Sequence, residues 1–127
     1  MSKKRETVWR ERLVKKFKEN HPTAFIWVNG SLFKRGLPDL TLILGGVCTF
    51  LELKVVERRS HDPLRGLDPI QLRVGRQIAQ AGGRAVVLTL AWKDEFVGIT
   101  NLAEDMQTLW VPASDFENTH WRAPALL

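Results

Sequence analysis

Pro38-Asp39-Leu40-Thr41-Leu42-Ile43-Leu44-Gly45-Gly46-Val47-Cys48-Thr49-Phe50-Leu51-Glu52-Leu53-Lys54-Val55 is the stretch that decides the fold. Two apolar runs flank Gly45-Gly46, a pair suited to the positive backbone dihedrals of a tight hairpin turn. The spacing predicts a strand over Leu40–Leu44 and a longer, central strand over Val47–Val55. Side chains along a strand alternate faces, so Glu52 and Lys54 share one face, with Phe50 beside them. Burying charge costs several kcal/mol unless the charge is paired or bound to a metal. A fold tolerates that cost most readily at a site that uses it. The competing reading is a same-face ion pair on an exposed strand edge.

Upstream, Glu6–Glu19 reads as a helix, with Trp9, Leu13 and Phe17 as its apolar stripe and Lys15, Lys16 and Lys18 largely off it. His21-Pro22 ends it. Phe25–Val28 reads as a strand, with Trp27, like Trp9, expected in the core, and Asn29-Gly30-Ser31 as a turn. Downstream, Glu57–Leu67 is a charged loop. Asp68 is a good N-cap with Pro69 at the first helical position. The helix it starts runs to about Ala81, with Ile70, Val74, Ile78 and Ala81 on one face, and Gly82-Gly83 stops it. Ala85–Leu90 is an apolar run of the kind buried on both faces. Phe96–Ile99 is a short further strand, and Leu102–Leu109 is expected to be a last helix.

This order predicts an α/β sandwich, with an α-β-β-β-α-β core and a small mixed sheet flanked by helices. The crossover through the second helix places Ala85–Leu90 parallel to a neighbour in the same sheet. Residues 1–109 form one domain in this reading. Residues 110–127 form a tail that packs on the domain or on a partner subunit, since Trp110, Val111, Phe116, Trp121 and Leu126 are too many large apolar groups for a free tail.

Bulk properties narrow the function classes. The chain has 127 residues and a net charge of +5, which suits a polyanionic partner. No apolar run approaches the roughly 20 residues that span a membrane. Cys48 is the sole cysteine, so no intrachain disulfide can form, and a cytoplasmic setting is expected. It reads as a buried small apolar residue. No Cys/His spacing suggests zinc. Two carboxylates held on a rigid sheet make a hard-oxygen site of the kind Mg²⁺ prefers, with Mn²⁺ as a substitute. Such a metal stabilises charge on a phosphoryl oxygen and lowers the pKa of a bound water. A neighbouring lysine supplies a compact cation that can orient the attacking water.

These residues carry a resemblance. Pro38-Asp39 followed by Glu52-Leu53-Lys54 across a hairpin looks like the PD-(D/E)XK nuclease motif. Gly36-Leu37-Pro38-Asp39, Phe50-Leu51-Glu52-Leu53-Lys54, Leu67-Asp68-Pro69-Ile70-Gln71 and then Gly82-Gly83 before an apolar strand together resemble the VRR-NUC (virus-type replication-repair nuclease) family. The resemblance covers roughly Glu6–Leu90 and is closest to the stand-alone phage form. It implies a restriction-endonuclease-like fold and a Mg²⁺-dependent endonuclease acting on duplex, flapped or junction DNA. If the chain is of phage origin, the setting is the bacterial host cytoplasm. It implies that Asp39, Glu52 and the backbone carbonyl of Leu53 hold the metal and that Lys54 is the catalytic cation. Gln71 matches the family's glutamine at the start of the second helix. The family also places a glutamate on the first helix. Helix phase favours Glu6, in line with Trp9, Leu13 and Phe17, over Glu11, which lies well over 90° away; Glu6 is then, by the resemblance, a further catalytic residue and metal ligand, and Gln71 a further catalytic residue. Ser31, Lys34, Arg35, Arg58, Arg59 and Arg65 are the candidate nucleic-acid contacts, while His61 reads as a solvated loop residue. Rival expectations are a dimeric Holliday-junction resolvase, a nucleic-acid-binding module without catalysis, and a structural protein whose basic surface is incidental.

Overall fold

The computed structural model describes residues 2–29, 38–103 and 106–116, the side chains of residues 2–4 excepted. Helix α1 spans Ser2–Asn20, four residues longer at its start than the apolar stripe alone indicates. Trp9, Leu13 and Phe17 are buried along one side of it. It stops where Pro22 follows, and His21 packs its ring on Phe17 at 5.1 Å. Strands β1 (Phe25–Val28), β2 (Leu40–Leu44) and β3 (Val47–Val56) follow. Then come helix α2 (Pro69–Gln80), strands β4 (Arg84–Ala91), β5 (Phe96–Asn101) and β6 (Thr108–Pro112), and a short turn of helix α3, Ala113–Asp115. The chain is thus α/β, with one open, mixed sheet.

The six strands lie in sequence order across the sheet. Neighbours are antiparallel except β3 and β4, which run parallel because α2 carries the chain across between them. Gly45 and Gly46 turn the β2–β3 hairpin at φ +60° and +80°, the left-handed values a two-residue turn with this twist demands.

Alternation sorts the sheet into two faces. Leu40 and Leu42 of β2, Leu51 and Leu53 of β3, and Val86 and Leu88 of β4 point to the α1 side and close the main core with Trp9, Leu13 and Phe17. On the other side α2 covers β4: Ala85 and Val87 pack with Leu102, Leu72 and Ile78. Glu52 and Lys54 fall on this second face, in register with Val87 and Thr89. Two buried groups on the α1 side, Trp9 Nε1 and Thr49 Oγ1, have no hydrogen-bond partner among the described residues.

Several expectations change. Leu102–Leu109 is not a helix: residues 108–112 form β6, paired antiparallel with β5, and Met106 takes a left-handed φ of +56° that a helix could not contain. The division at residue 109/110 falls inside β6, and Val111 and Phe116 are buried in the main core of their own chain. Trp121 and Leu126 lie outside the described residues. Trp27 is 58% exposed rather than core, because β1 is an edge strand whose second face nothing described covers; Phe25 stacks on it at 6.2 Å. Along α2 the buried line runs through Gly75 with Leu72 and Ile78, while Ala81 is exposed. A side chain at Gly75 would run into Leu102 Cδ1, so the helix sits close to the sheet there. Cys48 is half-buried. No described helix is long and apolar enough to cross a membrane.

Candidate active site

The register of β2 on β3 assembles the site. Leu40 pairs with Leu51, so Asp39, one residue before β2, stands opposite Glu52 on the second face. Asp39 is held there from two sides. Its Oδ2 accepts the Leu53 backbone N–H at 2.8 Å. Asn29 clamps the preceding backbone, donating its side-chain amide to the Pro38 carbonyl at 2.9 Å and to Thr41 Oγ1 at 3.0 Å. The Asn29 backbone N–H also bonds the Asp39 carbonyl at 2.9 Å. Strand residues direct N–H and C=O to the same side. The Leu53 carbonyl therefore faces the Asp39 side as well, past the end of the β2 ladder.

Glu52 is 6% exposed. Burial, first, and then the charge of Asp39 with a hydrogen bond between the two carboxyls push its pKa up from 4.5 to about 9; Lys54 pulls the other way, and Glu6 adds a small further rise. Two carboxyls this close cannot both ionise cheaply without a cation between them. Lys54 Nζ lies 3.8 Å from Glu52 Oε2, and its own side chain is largely enclosed.

Gln71 does two jobs. Its Oε1 accepts the Asp68 backbone N–H at 2.9 Å, completing a capping box in which Asp68 Oδ1 accepts from Ile70 N at 2.7 Å. The amide orientation is fixed by that bond, so Nε2 must turn inward, and it donates to Glu52 Oε2 at 3.0 Å. The helix start and the buried carboxylate are coupled through one side chain. The Asp68-x-x-Gln71 spacing is itself a sequence signal for the capping box.

Glu6 is half-buried on α1 and its charge reaches Glu52, whereas Glu11 is exposed and lines a shallow groove with Val14, Lys18 and Val28. Among the described residues no three acidic, histidine or cysteine side chains gather as a metal cluster. A metal here would rest on Asp39, Glu52, the Leu53 carbonyl, waters and a substrate oxygen. That sparse, all-oxygen set fits Mg²⁺, which keeps several waters and binds through one or two carboxylates.

The arginine candidates separate. Arg58 Nη1 and Arg59 Nε lie 3.4 Å and 3.5 Å from the two oxygens of Asp94, and Arg59 N bonds Asp94 Oδ2 at 2.7 Å. Arg59 also stacks over Phe96 at 3.7 Å. The Arg59 N–H, foremost, and the two guanidinium groups hold the Asp94 carboxyl below the usual range. These two arginines therefore fasten the loop to the β4–β5 turn. Arg65 instead lines a cleft with Arg5, His61 and Trp92 next to Lys54. Sequence reading passes over Asn29, Arg5 and Trp92 in these positions. Only the Asn-Gly turn signal marks Asn29, and nothing local marks the other two. Ser31, Lys34 and Arg35 lie outside the described residues.

No protein-family model matches the chain, and no curated protein matches it.

Proposed function

We propose that the chain is a Mg²⁺-dependent endonuclease of the PD-(D/E)XK type, similar to the VRR-NUC family, that hydrolyses DNA phosphodiester bonds. The observation that carries this reading is the pairing of buried Glu52 with Asp39 on adjacent strands, with Lys54 on the same face. A buried like-charged pair is unfavourable to folding unless something cationic completes it. Asp39, Glu52 and the Leu53 carbonyl would hold the metal. When bound, Mg²⁺ supplies charge stabilisation at a phosphoryl oxygen and a more acidic water. Lys54 sets a positive charge beside the scissile phosphate, where it can orient the attacking water. Gln71 holds one oxygen of the Glu52 carboxylate, which would leave the other for the metal.

The test is cleavage of linear, flapped, single-stranded and four-way DNA with Mg²⁺, with Mn²⁺ and in EDTA. Metal-dependent cutting that Asp39→Asn abolishes is expected. Wild-type cutting by Asp39→Asn would sink the assignment, and paired symmetric cuts in four-way DNA would identify a dimeric resolvase instead.

A further inference from the structure

β3 continues past Lys54 into Val55 and Val56, and these two residues floor a cleft of about 640 Å³. The cleft adjoins the candidate active site directly. Gly66, on its wall, sits against the Lys54 stem, where an added Cβ would lie 3.5 Å from Cδ. The loop carrying Gly66 is fastened over the same face by Thr89 Oγ1, which donates to the Pro63 carbonyl at 3.0 Å.

The lining is cationic in a specific way. Arg5 holds its guanidinium carbon over the Trp92 ring, 3.5 Å from the centroid, a contact that restrains the group while its N–H donors pair with no carboxylate among the described residues. Arg65 also lines the cleft and makes no ion pair with a carboxylate among the described residues. His61 accepts the Arg58 N–H at Nδ1, 3.3 Å away, so in the neutral ring Nε2 carries the hydrogen and is a donor. The one acidic lining residue, Glu57, is already engaged by Lys93 at 2.8 Å. The contrast with Arg58 and Arg59, both paired with Asp94, is decisive: charge is neutralised at the β4–β5 turn and left unneutralised beside Lys54.

We propose that this cleft is a second phosphate subsite, in which Arg5, Arg65 and His61 take another phosphate of the same DNA strand as the scissile one. It deepens the nuclease reading and rests on it for the identity of the strand. A forked guanidinium held by stacking is suited to phosphate oxygens, which it can meet with two parallel N–H donors. Trp92 is a positioning residue for Arg5. The direction follows too: from Glu52 to Val56 the strand rises about 13 Å, so the DNA backbone runs along β3 from the carboxylates towards the cleft.

The test is equilibrium binding of a fluorescein-labelled single-stranded oligonucleotide to the full chain in EDTA, across a salt series, so that no cleavage is needed. Arg5→Ala with Arg65→Ala is expected to weaken binding about tenfold at moderate salt and to make the salt dependence shallower by about one counterion. Lys15→Ala with Lys18→Ala, two exposed cations elsewhere on α1, is expected to change binding less than twofold. Arg5→Lys, which keeps the charge and the fold but loses the fork, should fall between. Oligonucleotide affinity within twofold of wild type in the Arg5/Arg65 variant overturns the proposal. So does an equal or larger loss in the Lys15/Lys18 variant. Inorganic phosphate is the second probe. Binding of free phosphate that the Arg5/Arg65 variant loses, with oligonucleotide affinity unchanged, would make the cleft a free-anion site and overturn its assignment to a DNA strand. If the cleavage test fails on every DNA while this binding contrast persists, the nuclease reading falls and the subsite stands.

Discussion

Glu52 sets the chemistry of the metal-free protein. In the unfolded chain it titrates near 4.5 and in the folded chain near 9. Between those values the folded state holds a proton that the unfolded state has lost, so folding stability falls as pH rises across that window, at up to about 1.4 kcal/mol per pH unit. Above the folded value the loss is complete. Urea denaturation in EDTA should therefore show a chain that is more stable near pH 5 than near pH 9, and Glu52→Gln should flatten the profile. A wild-type profile that rises over this range would mean that Asp39 and Glu52 are not the coupled pair described. If the pair binds Mg²⁺ as proposed, the metal would take its ionised form, so its apparent affinity should climb over the same window and added Mg²⁺ should raise Tm most at the alkaline end. Lys54→Ala should cut turnover far more than DNA affinity, since one phosphate contact among many is a small part of binding.

Elements that carry their own signals were legible in the sequence. The Trp9/Leu13/Phe17 stripe, the Gly45-Gly46 turn and the Asp68-Pro69 cap are local, and each lies where the pattern places it. The spatial grouping of the candidate residues Asp39, Glu52 and Lys54 was legible for the same reason, since they sit on one hairpin. β6 was not, because Leu102, Met106 and Leu109 mimic a helical period. What decides that segment is pairing with β5, a long-range effect that no window of sequence contains. Arg5, His61 and Trp92 were invisible as a group because three distant segments bring them together. Within β3 one residue breaks the pattern of satisfied polar groups. Thr49 is fully buried and its hydroxyl has no partner among the described residues, while Thr89 on β4 bonds Pro63. Thr49→Val should stabilise the chain by about 1–2 kcal/mol, because it removes an unpaired polar group at nearly constant shape. Thr89→Val should cost about 1 kcal/mol and loosen the 57–67 loop. Chemical denaturation of both variants checks the pair, and equal effects of one sign would show that the two hydroxyls are not in different states.

At the scale of the whole molecule the C-terminal strand closes the core rather than leaving it. Val111 and Phe116 join Val97 and Ile99 on the α1 side, at the far edge of the sheet from β1. Phe116 is fully buried, and its loss leaves a cavity in the main core rather than a bare patch of surface. A Phe→Ala change at such a site costs about 3–5 kcal/mol, much of what a domain of this size has to spare. Phe116→Ala should therefore lower Tm by about 10 °C or more, at a rate between the roughly 4–8 °C per kcal/mol of domains of about 60–100 residues and the roughly 2–4 °C of those of about 150–250. Ending the chain at Leu109 removes the rest of β6 as well, uncovers β5, and should give a species that binds a hydrophobic dye and loses cooperative unfolding. A chain ending at Leu109 that melts like the intact protein would mean that β6 is dispensable and that its apolar residues serve a partner subunit instead. The same logic separates assembly from folding. Val111 and Phe116 are consumed by their own chain, so any loss of DNA cleavage on truncation should track the loss of folded protein measured by circular dichroism, at every protein concentration. A loss of cleavage without a loss of fold, restored by raising the concentration, is the outcome that would return these residues to an interface between copies.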